Sequence, residues 1–266
     1  MMNIWRRMLC KGLGVLPVLG SLTACAQPNP SDTSGIPKPP AGRSWSPEEL
    51  ERMHRFRGVR GYELFVSGFG SNSKEGVFAR LFDDRSIPLD SGYFWDKGDS
   101  KSTFTIYPPG LMKTLHAKVY VDRDKALLYD VTIPVADRIP DELLDEIRRR
   151  GGNLRIKIRL HRDGVLLGWD IERRPGFDRK KRDSYGAIAY VPPGWVKTGG
   201  DFKEARGVYW LEDESGNLVR PPSPESLGGV MPPELTRRGI VFRNGFLREK
   251  GWYIHPKTGE RIETDF

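Results

Sequence analysis

Arg155, Lys157 and Arg159 stand at every second position of one segment, and Arg179, Lys180, Lys181 and Arg182 form an unbroken run in another. Cations grouped in this way bind anions: phosphorylated headgroups, lipopolysaccharide or the acidic face of a protein. In the first segment they alternate with Leu154, Ile156, Ile158 and Leu160. That period predicts a strand whose aliphatic side chains meet a core while the cations face solvent or a partner. Both groups are therefore candidates for partner binding. Trp169, Trp195, Trp210 and Trp252 are either core residues or the kind of anchor that tryptophan and arginine form at interfaces.

Patterns that would carry catalysis are missing from the sequence. It has no Walker loop, dinucleotide fingerprint, HExxH, EF-hand loop or GxSxG elbow. Gly68-Phe69-Gly70-Ser71-Asn72-Ser73 is glycine-rich, but no helix pattern follows it, so it reads as a hairpin connection rather than a phosphate loop. His54, His116, His161 and His255 lie far apart in sequence on different predicted elements, and nothing selects a nucleophile. Asp122, Asp124, Asp213 and Glu214 read as turn residues rather than calcium ligands. The expectation is a protein that is not an enzyme, with no catalytic residue, metal or cofactor. A hydrolase assembled from residues distant in sequence is the alternative, since such sites are defined by geometry.

Cys25 sits in a more specific context. Arg6, Arg7 and Lys11 make a positive lead, residues 12–19 are a short apolar run, and Leu22-Thr23-Ala24 precede the thiol. The apolar run is far below the 18 or so residues that span a bilayer, so a removable signal is predicted for residues 1–24. Leu22-Thr23-Ala24-Cys25 resembles the lipobox of bacterial lipoproteins. The resemblance implies a diacylglyceryl thioether at Cys25, cleavage before it, and acylation of the new amine with a palmitate-class chain. Ala26 in place of aspartate favours sorting to the outer membrane, with the protein facing the periplasm. Each buried CH₂ contributes about 0.8 kcal/mol, so two or more chains hold such a protein stably. Cys10 leaves with the signal and Cys25 is consumed by lipid, which removes cysteine catalysis and cysteine-ligated metals. An envelope address also argues against nucleic acid as a partner, despite a net charge of +8 to which the leader contributes Arg6, Arg7 and Lys11.

These groups must be positioned by the remainder of a 266-residue chain that is 38% hydrophobic and 29% charged, a balance that excludes wholesale disorder and a polytopic membrane protein. Residues 25–45 form a tether: five prolines and small polar residues follow Cys25 up to Arg43. In extended form these 18 residues reach roughly 55 Å. Residues 46–200 are expected to form an antiparallel β-rich domain, with 201–266 a C-terminal β extension packed on it. Ser46-Pro47-Glu48-Glu49 is a capping-box pattern opening a short helix, and residues 140–150 form a second one stopped by Gly151. Strands are predicted at 62–66, 77–82 and 103–107, hairpins at 115–133 and 154–171, the latter turning at Asp163-Gly164, and a last hairpin at 252–262. The fold class is mainly β or α+β: an antiparallel, sandwich-like domain with two short peripheral helices.

The order of Tyr107-Pro108-Pro109-Gly110-Leu111-Met112, the strand at 115–121, Leu128-Tyr129-Asp130-Val131-Thr132-Ile133-Pro134, the helix near 139–147 and the hairpin from Leu154 to Trp169 resembles a family of poorly characterised bacterial lipoproteins. The resemblance covers residues 61–171. The tryptophan common in that family after the proline lead is absent, with His116 and Tyr120 in its place. Many members look like immunity proteins to type VI secretion lipase effectors. The resemblance thus implies a membrane-anchored protein that captures an incoming phospholipase. An envelope lipoprotein binding another surface component or lipopolysaccharide is the alternative.

Overall fold

The computed structural model describes residues 36, 38, 39, 41–59, 62–69, 77–94, 102–106, 111–121, 126–174, 192–223, 226–228 and 230–264. Cys25 and the basic run Arg179, Lys180, Lys181 and Arg182 lie outside the described residues.

Ser46 caps the first helix, α1 (Pro47–Arg55). Its hydroxyl accepts from the Glu49 N–H at 3.2 Å, and the Glu49 carboxylate accepts from the Ser46 N–H at 2.9 Å. The reciprocal pair satisfies two of the donors that a helix start leaves open, as the sequence pattern implied. Strands follow: β1 (Tyr62–Phe69), β2 (Val77–Asp83), β3 (Pro88–Phe94), β4 (Ser102–Ile106), β5 (Thr114–Tyr120) and β6 (Leu127–Pro134). A 3₁₀ turn at Ala136–Arg138 leads to α2 (Asp141–Arg150), which begins with Asp141 and Glu142 and ends with three arginines. The charges oppose the helix dipole at each end, and Gly151, at φ +73°, takes the positive-φ position that stops the helix. Then come β7 (Asn153–His161) and β8 (Gly164–Arg173), joined at the predicted Asp163-Gly164 turn, and β9 (Gly194–Gly200).

The strands of this part form a five-stranded sheet, ordered β4-β1-β7-β8-β9, and a four-stranded sheet, ordered β3-β2-β5-β6. The mainly β class with peripheral helices is what the sequence led us to expect, but the described residues hold three α-helices rather than two, and one strand pairing differs. β1 and β7 run parallel, from Tyr62 opposite Leu154 to Phe69 opposite His161, inside an otherwise antiparallel sheet. The connection after Gly68 is not a hairpin either. Both edges of β1 are taken, by β4 and β7, so the chain crosses to the other sheet to form β2. β3, which Pro88 and Gly92 hid from the sequence pattern, pairs with β2.

One hydrophobic cluster joins the two sheets and α2. Leu64 and Val66 of β1, Leu154, Ile156, Ile158 and Leu160 of β7, and Leu115, Ala117 and Val119 of β5 all enter it, with Leu143, Leu144 and Ile147 from the helix. The alternation that put Leu115, Ala117 and Val119 inward leaves His116 and Lys118 of β5 on the outer face, where both meet Asp130 of β6.

Past β9 the chain makes short strands: β10 (Phe202–Lys203), β11 (Arg206–Gly207), β12 (Leu211–Glu212) and β13 (Leu218–Val219). A third helix, α3 (Pro233–Arg237), precedes β14 (Ile240–Arg243), β15 (Phe246–Glu249), β16 (Gly251–Ile254) and β17 (Arg261–Thr264). They form the sheets β10-β16-β17 and β11-β15-β14 and the β12-β13 pair. Phe202 and Tyr253 pack on Leu166 of β8 in a second cluster, so this segment lies against the side of β8 away from the main core. Close approach makes this possible at Gly200 (φ +95°), where an added Cβ would lie 2.3 Å from the Leu167 carbonyl oxygen. Asp201, the next residue, donates its N–H to that carbonyl at 2.7 Å and accepts the Leu167 N–H on its carboxylate at 2.9 Å. Arg138 holds the same carboxylate in a two-point pair at 2.9 and 2.5 Å.

Candidate functional site

The side of β7 that carries Arg155, Lys157 and Arg159 is covered, which corrects the expectation that these cations meet solvent or a partner. Lys157 is 1% exposed, Arg155 6%, and Arg159 is half-buried. Alternation identifies which side chains share a face but not what lies on it. Here Phe202 and the chain around Glu204 and Arg206 lie over them. The Lys157 ammonium is 5.2 Å from the Phe202 ring centre and the Arg159 guanidinium 4.7 Å from it. Arg155 lies 4.2 Å from the Phe65 ring and 5.4 Å from that of Trp195.

Asp170 of β8 is the hub of this layer. Its carboxylate lies 3.4 Å from Arg155 Nε, 3.2 Å from Lys157 Nζ and 3.4 Å from Arg206 Nη1. Glu249 takes Arg206 at 3.1 Å and Lys203 at 2.5 Å, and Glu204 approaches Arg155 at 3.9 Å. Burial pushes the Lys157 pKa down, with the Asp170 charge opposing it. Burial likewise pushes the Glu63 carboxyl up, helped by the negative charge of Glu172. A buried network of this kind positions groups more than it stabilises the fold, because desolvation offsets the attraction.

Arg206 links that network to a cavity of about 240 Å³. Trp195, Trp210, Trp252 and Tyr209 contribute aromatic walls, and Lys197, Lys203, Arg206 and Arg238 contribute cations, with Glu212 and Glu249 between them. Arg206 is fixed by hydrogen bonds from Nη2 to the Trp195 carbonyl (3.2 Å) and to Thr198 Oγ1 (3.0 Å), and its guanidinium lies 5.3 Å from the Trp195 ring centre. Trp210 is set by an Nε1–H bond to the Pro192 carbonyl at 2.8 Å. Trp195 Nε1 is buried and has no hydrogen-bond partner among the described residues. Of the four tryptophans singled out in the sequence, Trp169 packs against the main core while the other three converge here. A site built this way offers flat apolar faces and charge-assisted donors at close range. It suits a ligand or partner segment that is both planar or aliphatic and anionic.

The structure also joins two histidines that are remote in sequence. His161, at the end of β7, and His255, just after β16, have ring centres 5.2 Å apart. Asp163 Oδ2 lies 3.7 Å from His161 Nδ1 and 3.6 Å from His255 Nε2, and Lys257 pairs with its other oxygen. Three donor atoms within 4.8 Å of one another have the composition of a metal centre. The tautomers argue for a latch instead. His161 Nδ1 accepts the Asp163 N–H at 3.1 Å, and His255 Nδ1 accepts the N–H of Lys257 at 3.2 Å. For His255 this puts the proton on Nε2, the atom that faces Asp163, and for His161 the facing atom is Nδ1, whose lone pair already accepts an N–H. Lys257 already supplies the positive charge that Asp163 requires. Burial holds the His161 imidazole below its ordinary value. The latch ties the β7–β8 turn to the terminal hairpin.

No protein-family model matches this chain, and no curated protein matches it in sequence.

Proposed function

We propose that this chain is an outer-membrane-anchored periplasmic lipoprotein that acts by binding, and that its partner is a phospholipase effector which it neutralises. The observation that carries the binding role is the convergence of Trp195, Trp210 and Trp252 with Arg206 and Arg238 on one cavity. Tryptophan and arginine are the residue types that dominate binding energy at protein interfaces. The envelope address rests on the leader and on Leu22-Thr23-Ala24-Cys25, and the class of partner on the resemblance of residues 61–171 to lipase immunity lipoproteins. The physical logic is one of effective concentration. A lipid anchor with a tether of roughly 55 Å confines the inhibitor to the layer where a phospholipase must work. In this reading Arg155 and Lys157 hold the cavity-forming segment in place rather than touching the partner.

The cavity also favours a second reading, binding of an anionic glycolipid such as lipopolysaccharide, because tryptophan faces beside cations suit a phosphorylated sugar.

The test is co-expression of the full chain in the periplasm with a lipase encoded beside it, comparing the natural sequence with Cys25→Ser and with Trp252→Ala. Protection and recovery of a complex are expected for the natural chain. Cys25→Ser should lose membrane association, and Trp252→Ala should weaken the complex. A lipase that stays fully toxic, with no complex recovered, overturns the immunity reading; saturable lipopolysaccharide binding in the same preparation would then favour the second. Turnover of lipid or peptidoglycan by the purified full chain would overturn both.

A further inference from the structure

A second opening, of about 540 Å³, shares no lining residue with the tryptophan-lined cavity, and its charged lining consists of guanidinium groups. Arg150, from the last turn of α2, Arg173, the last residue of β8, and Arg174 after it form its wall together with Gly152, Gly216 and Asn217. Among the described residues of this wall there is no carboxylate. Acidic groups stand behind the arginines instead. Glu146 accepts from Arg173 Nη2 at 2.6 Å and lies 3.5 Å from Arg150 Nη1, and Glu172 accepts from Arg174 Nε at 3.2 Å. Glu212 lies 3.6 Å from Arg150 and 3.5 Å from Arg173, and Arg173 Nε donates to the Gly151 carbonyl at 3.2 Å.

Each guanidinium carries five N–H donors, so one engaged by a carboxylate on one edge still has others to offer. The carboxylates fix the forks in orientation. Arg150, Arg173 and Arg174 share Glu146, Glu172 and Glu212, and Asp213 and Glu214 line the adjoining hollow beside Arg150, so the wall offers an anion oriented N–H donors rather than a net positive charge. Two glycines permit close approaches in this wall. A Cβ at Gly216 would lie 1.3 Å from Arg150 Nη1, and one at Gly152 would lie 2.6 Å from Ile171 Cγ2. Gly216, at φ +78°, thus lets the Arg150 guanidinium lie against the β12–β13 turn.

The geometry points to a binding site for a phosphate-class oxyanion, held by Arg150 and Arg174, with Arg173 fixed in the same wall by Glu146 and the Gly151 carbonyl. Two guanidiniums, Arg150 from α2 and Arg174 just after β8, match a group with several terminal oxygens, and arginine forks recognise phosphate in two-point fashion. The site is separate from the tryptophan-lined cavity and does not depend on a lipase partner. Its ligand is a phosphate monoester or diester, free in solution or carried on a lipid headgroup.

The experiment titrates the purified full chain in detergent with inorganic phosphate by calorimetry, beside Arg174→Ala and Arg150→Lys. Arg174 is largely exposed, so its removal leaves the fold intact. Arg150→Lys keeps the charge and removes the fork. Saturable binding by the natural chain is expected, with each variant weaker by roughly tenfold. Absence of saturable binding in the natural chain, or unchanged binding in both variants, overturns the site. A second arm distinguishes the sources. The Cys25→Ser chain is sedimented with phosphatidylcholine vesicles with and without phosphatidylglycerol. Sedimentation that requires phosphatidylglycerol and is lost in Arg174→Ala supports a site for headgroups. Phosphate binding without vesicle binding supports one for a soluble phosphate.

Discussion

Lys157 and Asp170 face each other diagonally across the β7–β8 ladder, with Nζ 3.2 Å from Oδ2 and neither residue more than 1% exposed. The same carboxylate also answers Arg155 and Arg206, so the two members of the pair are unequal: one anion serves three cations. Asp170→Asn should therefore lower the unfolding free energy by about 3–5 kcal/mol, the cost of leaving buried charges uncompensated. Lys157→Met removes a buried charge and keeps the stem volume, so it should cost far less, about 1 kcal/mol or under. Urea unfolding of the two variants checks the order, and equal losses would mean that Asp170 is not the hub.

Acid should act on the fold through Glu146. Burial alone would raise its carboxyl, but hydrogen bonds from Arg173 and Arg149 outweigh this and hold it below its usual value of 4.5. A carboxyl that is harder to protonate when folded contributes stability that is complete above about pH 4.5 and is lost as pH falls through the lower folded value. Unfolding free energy measured from neutral to acid pH should fall in that window. Glu146→Gln should be less stable at neutral pH and show a shallower acid slope. An identical slope in the variant would rule Glu146 out as the source.

Gly200→Ala tests how closely β8 and β9 approach. The new methyl would meet the Leu167 carbonyl, which belongs to backbone and cannot swing away, in a residue whose φ already disfavours a side chain. A loss of about 3 kcal/mol or more is expected. Gly259→Ala is the control, because φ there is +70° but none of the described residues lies within 4 Å of the added carbon. It should cost about 1 kcal/mol, the conformational part alone.

Binding at the tryptophan-lined cavity predicts two separable effects. Trp252→Ala should weaken the partner complex by about 2 kcal/mol, read mainly as faster dissociation. Arg238→Glu, an exposed change at the rim, should slow association and reduce its dependence on salt, with the melting temperature unchanged. Stopped-flow association and dissociation rates distinguish the two. Unaltered rates in both variants would remove the cavity from the interface.

Elements whose signals are local could be read from the chain directly. The Ser46–Glu49 capping box, the α2 stop at Gly151 and the Asp163-Gly164 turn each depend on residues within a few positions of one another. What the sequence hid depends on distance. Nothing near Lys157 says that Phe202 will cover it, and nothing near His161 points to His255. The parallel pairing of β1 with β7 was hidden for the same reason, since strand patterns carry no partner identity. The arginine-walled opening needed three such joins at once: the end of α2, the end of β8 and the turn at Gly216.

The place of β1 between β4 and β7 also sets a timetable. A chain entering its folding compartment from the N-terminus delivers Tyr62 long before Leu154, the residue it must pair with. β1 can form its antiparallel edge with β4 early, but its other edge stays open until the whole of β2 through α2 has followed. Long-range parallel pairing of this kind is slow and leaves an unpaired strand exposed to other chains meanwhile. Production of this protein should accordingly be limited by aggregation during maturation rather than by the lifetime of the finished fold. Holdase chaperones that shield strand edges should raise its yield more than stabilising substitutions do.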